Sequence, residues 1–187
     1  VFFSIIPIFF RKDLKQISIQ IIPILGDIDD IAFIEKLIKD YKIDVIFNTA
    51  AYKHVPLVES NPLQGIRNNC ITTYKLCKLA NNLKVDQLIH ISTDKAVRPT
   101  NIMGATKRFS ELIVQAFANL NEKKYEDKKT CFSMVRFGNV LNSSGSVVPL
   151  FKEQIKNGGP ITLTHEDVIR YFMTIPEAAR LVIQVSK

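Results

Sequence analysis

Cysteine is scarce in this chain of 187 residues: Cys70, Cys77 and Cys131 are its whole complement. They form no C-x-x-C pair and are too few to staple a domain of this size. That excludes a disulfide scaffold and a structural zinc centre, and it fits a reducing compartment. Long apolar runs are missing as well. Val1 to Phe10 is strongly apolar, but it is interrupted by Pro7 and falls well short of the roughly 18 residues a bilayer span requires. No small-residue cleavage site follows it, so the chain reads as cytosolic, and the missing initiator Met suggests a piece of something longer. Internal repeats and low-complexity stretches are absent. With 47% hydrophobic and 23% charged residues, intrinsic disorder is excluded, and the length suits one α/β domain better than two.

What is present is an excess of basic charge, 25 Lys and Arg against 18 Asp and Glu. Such an excess can serve a nucleic acid, an anionic membrane surface or a phosphate-bearing small ligand. The longest basic cluster, Lys123, Lys124, Lys128 and Lys129, is broken by Glu126 and Asp127 and carries a single aromatic, Tyr125. It reads as solvated surface charge, without a nucleic-acid footprint.

The dominant organisation is an alternation of strands and helices. Ile17 to Leu25 is a β-branched apolar run closed by Gly26 and Asp27, which predicts a buried strand. Asp30 to Tyr41 keeps helical spacing at Ile31, Ile34, Leu37, Ile38 and Tyr41. Asp44 to Thr49 predicts a short central strand, and Asn61 with Pro62 predicts the cap and first turn of one long helix reaching about Leu83. Gln87 to Ile91 reads as a strand, Ser92 to Ile102 as a loop, Met103 to Leu120 as a helix, Asn121 to Lys129 as a surface loop and Cys131 to Phe137 as a strand. Val147 to Lys156 looks helical, Ile161 to Thr164 suggests a short strand, and Thr174 with Glu177 forms a capping-box pattern for a last helix. This alternation implies a doubly wound parallel sheet with ligands at the carboxyl ends of its strands.

The polar clusters fall just after predicted strands and should therefore converge on one crevice: Asp27, Ala50 to His54, Ser92 to Lys95 and Gly138 to Ser146. In Ser92-Thr93-Asp94-Lys95 a hydroxyl, a carboxylate and an amine stand side by side. They can supply a donor, an acid and a base, or merely a cap and a surface ion pair. Lys107 follows Met103 by four positions, which puts both on one helix face. Gly138, Asn139 and the serines after them offer donors for a phosphate or sugar, although such a loop is more often a turn. His54, His90 and His165 lack metal-ligand spacing, and His90, inside a strand, reads as structural.

In combination, the order of motifs resembles the extended short-chain dehydrogenase/reductase superfamily. Phe47-Asn48-Thr49-Ala50-Ala51-Tyr52-Lys53-His54-Val55-Pro56-Leu57-Val58-Glu59, Ile91-Ser92-Thr93-Asp94-Lys95-Ala96-Val97-Arg98-Pro99-Thr100-Asn101, Val135-Arg136-Phe137-Gly138-Asn139-Val140-Leu141 and Arg170-Tyr171-Phe172-Met173-Thr174 look like the nucleoside-diphosphate-sugar 4,6-dehydratases of polysaccharide biosynthesis. The likeness covers residues 17 to 187 and leaves 1 to 16 poorly matched. It implies a Rossmann-like sheet, incomplete at its N-terminal strand-turn-helix unit and continuing into the start of a sugar-nucleotide-binding part.

The resemblance implies a mechanism in which NAD or NADP, the latter slightly favoured, takes hydride from C4 of UDP-N-acetylglucosamine, water leaves across C5 and C6, and the hydride returns to C6. Asp27 would contact the adenine, Ala50, Ala51 and Tyr52 would line the dinucleotide, and Lys107 would hold the nicotinamide ribose. Thr93 would orient the sugar, Asp94 would protonate the departing C6 hydroxyl and Lys95 would take the C5 proton. His54, Asn139, Ser146, Val148 and Arg170 would lie along the sugar nucleotide, Arg170 facing its diphosphate. The likeness also implies a homo-oligomer when complete, and a parent anchored to the inner membrane by a region outside this chain. Rival readings are a sugar-nucleotide epimerase and a catalytically silent NAD(P)-sensing module.

Two departures stand out. Met103 occupies the catalytic position where the superfamily usually has tyrosine, and a thioether cannot accept a proton; the Met-x-x-x-Lys pattern marks a sub-branch. The seven glycines nowhere make G-x-G-x-x-G, so the phosphate-binding turn is not found in this chain. The chain alone is therefore expected to be inactive. The strand at Ile17 to Leu25 would lose its usual path to the strand at Asp44 to Thr49 unless Val1 to Phe10 fills the gap.

Overall fold

A computed structural model describes residues 20–122, 129–141, 143, 147–163, 165–167 and 169–186. Helix α1 (Ile31–Asp40) begins where the Asp30 carboxylate accepts from the Phe33 N–H, and strand β1 (Val45–Asn48) follows it. The single long helix expected from Asn61 to Leu83 is instead α2 (Val55–Ser60), α3 (Pro62–Ile66), one wide π turn (Arg67–Ile71) and α4 (Thr72–Leu83). Asn61 does not cap with its side chain: its amide donates back to the Leu57 carbonyl at 3.0 Å, closing α2 rather than opening α3. Pro62 then starts α3 at no cost, because a first-turn N–H has no intrahelical partner anyway.

Strand β2 (Gln87–Thr93) leads into a single 3-10 turn (Asp94–Ala96), then α5 (Ile102–Glu122) and strand β3 (Cys131–Phe137). The three strands form a parallel sheet in the order β1-β2-β3, with Asn48 beside His90 and Thr93 beside Phe137. Leu88, Ile89 and His90 are consecutive and all buried; since successive strand residues face opposite ways, both faces of β2 are covered. Helices α1, α4 and α5 supply one core through Ile38, Leu76, Cys77, Ala80 and Val114, packed on Leu88 and Phe132. The fold class is therefore the expected Rossmann-like α/β sheet.

The predicted strand at Ile17 to Leu25 is a correction. Residues 20–25 carry no strand, and 17–19 lie outside the described residues. A strand exists through its ladder hydrogen bonds. Here the outer edge of β1 faces an apolar groove of about 500 Å³ lined by Ile22, Ile24, Ile28, Ile34, Ile46 and Phe47, with no described strand between. Val1 to Phe10, proposed to fill that gap, lies outside the described residues, as does the basic stretch 123–128.

Beyond β3, a two-residue pair that the sequence does not reveal, β4 (Asn139–Val140) with β5 (Phe172–Met173), ties the chain together around α6 (Val147–Lys156). Residues 161–163 form no strand, contrary to expectation: Gln154 of α6 claims both the Thr162 N–H and its hydroxyl at 3.1 and 2.8 Å, in place of a ladder partner. Thr164 is outside the described residues. Helix α7 (Ile175–Val185) opens with the complete capping box of Thr174 and Glu177 and packs on β3 and β2. Among the described residues no helix is long and apolar enough to cross a membrane.

Candidate active site

The carboxyl end of β2 turns sharply at Asp94, and the turn is held by its own side chains. Thr93 Oγ1 donates to Asp94 Oδ1 at 2.9 Å and accepts from the Lys95 N–H at 3.4 Å. Lys95 Nζ donates to Asp94 Oδ1 at 3.1 Å and to Asn139 Oδ1 at 3.2 Å. Thr93, Asp94, Lys95 and Asn139, the last 44 residues beyond Lys95 in the chain, are thus brought into one cluster. Burial pushes the Asp94 carboxyl up, but the hydrogen bonds from Lys95 and Thr93 outweigh it and hold the group below its ordinary value. At rest Asp94 is therefore a carboxylate.

Two glycines permit this assembly. A Cβ on Gly104 would collide with the Lys95 carbonyl, so the first turn of α5 rests directly on the 3-10 turn. A Cβ on Gly138 would stand 2.7 Å from the Tyr171 carbonyl and 3.6 Å from Asp94 Oδ2, so only glycine lets the β4–β5 pair close behind the acid. The loop after β1 adds another wall. Tyr52 is clamped through its backbone: its N–H donates to Asn69 Oδ1 at 2.8 Å and its carbonyl accepts from Asn69 Nδ2 at 3.0 Å. The Lys53 ammonium is pushed down by burial first and by the charge of Lys95 second.

Lys107 and Met103 both face inward from α5, at 6% and 2% exposure. Lys107 Nζ donates to the Ile91 carbonyl at 2.6 Å and meets His90 Nε2 at 3.3 Å. Burial, opposed by the charge of Glu111, brings Lys107 down to about 8. One turn on, Glu111 is fully buried, yet Arg136, Ser92 and Arg108 all donate to it; against the effect of burial they bring its carboxyl down to about 2.

The other predicted residues are more dispersed. Asp27 is exposed, follows no described strand, and uses Oδ1 to accept from the Asp29 N–H at 2.9 Å. Ala50 and Ala51 line the turn beyond β1, His54 is the exposed cap of α2, Val148 is half-buried in the first turn of α6, and Arg170 is exposed just before β5. Ser146 lies outside the described residues. Asn48, Asn69 and Glu111, which the sequence reading did not single out, are buried and hydrogen-bonded around the crevice, as is His90. Asn48 at the end of β1 and His90 within β2, paired across two neighbouring parallel strands, were the available signal, since polar groups in apolar runs need partners.

The family described as polysaccharide biosynthesis protein matches residues 6–187. The chain is 49% identical over 166 residues to the capsular polysaccharide biosynthesis protein CapD of Staphylococcus aureus, covering 89% of this chain and 27% of that protein. It is 36% identical over 159 residues to a UDP-glucose 4-epimerase of Rickettsia bellii, covering 85% of this chain and 45% of the relative. The chain thus spans between about a quarter and a half of the length of these relatives. Among solved structures, Pen from Bacillus thuringiensis superposes with a TM-score of 0.79 at 32% identity, over 95% of this chain and 53% of that one. DesIV, a dTDP-glucose 4,6-dehydratase from Streptomyces venezuelae, superposes with a TM-score of 0.74 at 19% identity, over 87% and 53%, a likeness of fold.

Proposed function

Because the chain belongs to the polysaccharide biosynthesis protein family, we propose that it carries the catalytic core of a sugar-nucleotide 4,6-dehydratase acting on UDP-N-acetylglucosamine with NAD or NADP. The observation that carries this reading is the cluster of Thr93, Asp94, Lys95 and Asn139, in which an acid and a base share one hydrogen bond at the end of the central strand. An epimerase working at C4 needs neither a C6 acid nor a C5 base.

The donors of the crevice suit the nicotinamide side of a dinucleotide. Lys107, anchored on the Ile91 carbonyl, keeps hydrogens free for a ribose hydroxyl, and Ala50, Ala51 and Tyr52 offer a small-residue wall. The bound cofactor would supply reversible oxidation at C4. Asp94 and Lys95 then divide the elimination. Seating the sugar expels water, and low dielectric disfavours a separated charge pair, so the proton between Lys95 Nζ and Asp94 Oδ1 moves onto the carboxylate. Asp94 donates that proton to the departing C6 hydroxyl, which leaves as water. Lys95, now an amine, takes the proton from C5. Thr93 orients the sugar, His54, Asn139, Ser146 and Val148 line it, and Arg170 and the Lys53 charge face its diphosphate. Asp27 serves the adenine. The complete protein is a homo-oligomer.

The test is incubation of the complete protein with UDP-N-acetylglucosamine, followed by NMR. A 4-keto-6-deoxy product is expected. A C4 epimer would support the epimerase reading instead, and cofactor binding without any product would leave a silent NAD(P)-sensing module. Calorimetric titration of the 187-residue chain alone is expected to show no saturable NAD(P) binding at micromolar concentrations, since its sequence holds no glycine turn for the pyrophosphate.

A further inference from the structure

Asn48, His90 and Lys107 form a buried chain of side-chain contacts between β1, β2 and α5. Asn48 Oδ1 accepts from the Ala50 N–H at 3.3 Å, so the Asn48 amide nitrogen is what faces His90 Nδ1, at 3.1 Å. An amide nitrogen only donates; Nδ1 must therefore carry a lone pair, and the neutral ring carries its hydrogen on Nε2. That Nε2 stands 3.3 Å from Lys107 Nζ. An ammonium has donors only and would confront the Nε2–H with another hydrogen, whereas an amine accepts from it while still donating to the Ile91 carbonyl.

We infer that His90 is a positioning residue that makes Lys107 easy to deprotonate, through a tautomer that Asn48 dictates. To bind a proton, Lys107 must break the contact with His90 or force the ring to the other tautomer, which sets a hydrogen on Nδ1 against the Asn48 amide. Each route sacrifices a buried hydrogen bond. The other groups around Lys107 are Glu111 on its own helix and Cys70 in the π turn, which favour the ammonium, and burial, which opposes it. Glu111 is already engaged by Arg136, Arg108 and Ser92, which weakens its pull. His90 itself is lowered by burial to about 3 and stays neutral at working pH. The consequence rests on the dehydratase reading: the crevice holds a lysine that exchanges its proton readily one turn from Met103, whose thioether accepts none. The tautomer and the easily lost proton do not depend on that reading.

The test is NMR of the 187-residue chain labelled at His and Lys, titrated from pH 5 to 10. The expected result is a Lys107 midpoint at about 8 or below, with His90 in the Nε2–H tautomer above that midpoint. An Nδ1–H ring there, an imidazolium, or a Lys107 midpoint near its ordinary value of 10.5 overturns the inference. Asn48→Leu removes the amide that dictates the tautomer, and His90→Gln offers Lys107 a carbonyl oxygen. Each should raise the Lys107 midpoint by about one pH unit. A midpoint unmoved in either folded variant means that His90 is only core packing, and the wild-type titration decides if neither variant folds. Intact titrations without a 4-keto product would count against the dehydratase reading alone.

Discussion

Two successive turns of α5 bury opposite charges in opposite ways. Glu111 is enclosed by three donors, and its carboxyl lies far down, at about 2. Lys107 has a backbone carbonyl and a histidine N–H for company, and its amine is lowered to about 8. The first is a charge made permanent in order to join α5 to β2 and β3. The second is a charge made easy to lose, beside the crevice. The difference teaches that burial by itself does not mark a functional group; burial with too few compensating partners does.

The largest effects on activity should come where the acid or the base of the crevice is removed. Asp94→Asn and Lys95→Ala in the complete protein are each expected to lower dehydration by roughly 10²- to 10⁴-fold, with cofactor content and thermal stability nearly unchanged. Steady-state rates within a few-fold of wild type would reduce the pair to a surface contact.

Glu111→Gln is expected to do the reverse, costing about 3 kcal/mol of stability, because Arg136 and Arg108 lose their buried anion. Chemical denaturation measures it. The same comparison has a pH signature. Glu111 is lowered from 4.5 to about 2, so its stabilisation is complete above pH 4.5 and is lost as pH falls toward 2. His90 is lowered from 6.5 to about 3, so the unfolded chain binds its proton first, and stability begins to fall below pH 6.5. Thermal melts should decline in these two steps, and Glu111→Gln should abolish the lower one.

Lys107→Met should sharpen the contrast from the other side, raising stability by about 1 kcal/mol near pH 7 by removing a poorly compensated ammonium while damaging NAD(P) binding by the complete protein. The gain should shrink between pH 8 and 10.5, where the wild-type lysine no longer carries its penalty. A loss of stability at neutral pH would show Lys107 to be as well compensated as Glu111. Least of all is expected from Met103→Leu, a near-isosteric change in a buried site that costs less than about 1.5 kcal/mol and leaves activity within a few-fold. A hundred-fold loss would reveal a role for the thioether.

Much of the frame was legible in the chain. The helical spacing from Ile31 to Tyr41, the apolar runs at β1, β2 and β3, and the Thr174 capping box are local patterns, and local patterns choose local structure. Asn61 misled because an N-cap asparagine and one that closes the preceding helix are the same residue before the same proline. The strand at Ile17 to Leu25 misled because a β-branched run states a preference, whereas a strand needs a neighbour.

The sequence by itself determined the α/β class, the order of the elements and the adjacency of Thr93, Asp94 and Lys95, since these follow from periodicity and covalent neighbourhood. Only the tertiary structure decided that Asn139 reaches Lys95, that Glu111 has three partners and Lys107 too few, and that Asn48 dictates the tautomer of a histidine 42 residues away. The physical reason is that protonation depends on dielectric and on which donors arrive. Both are set by packing between elements distant in the chain.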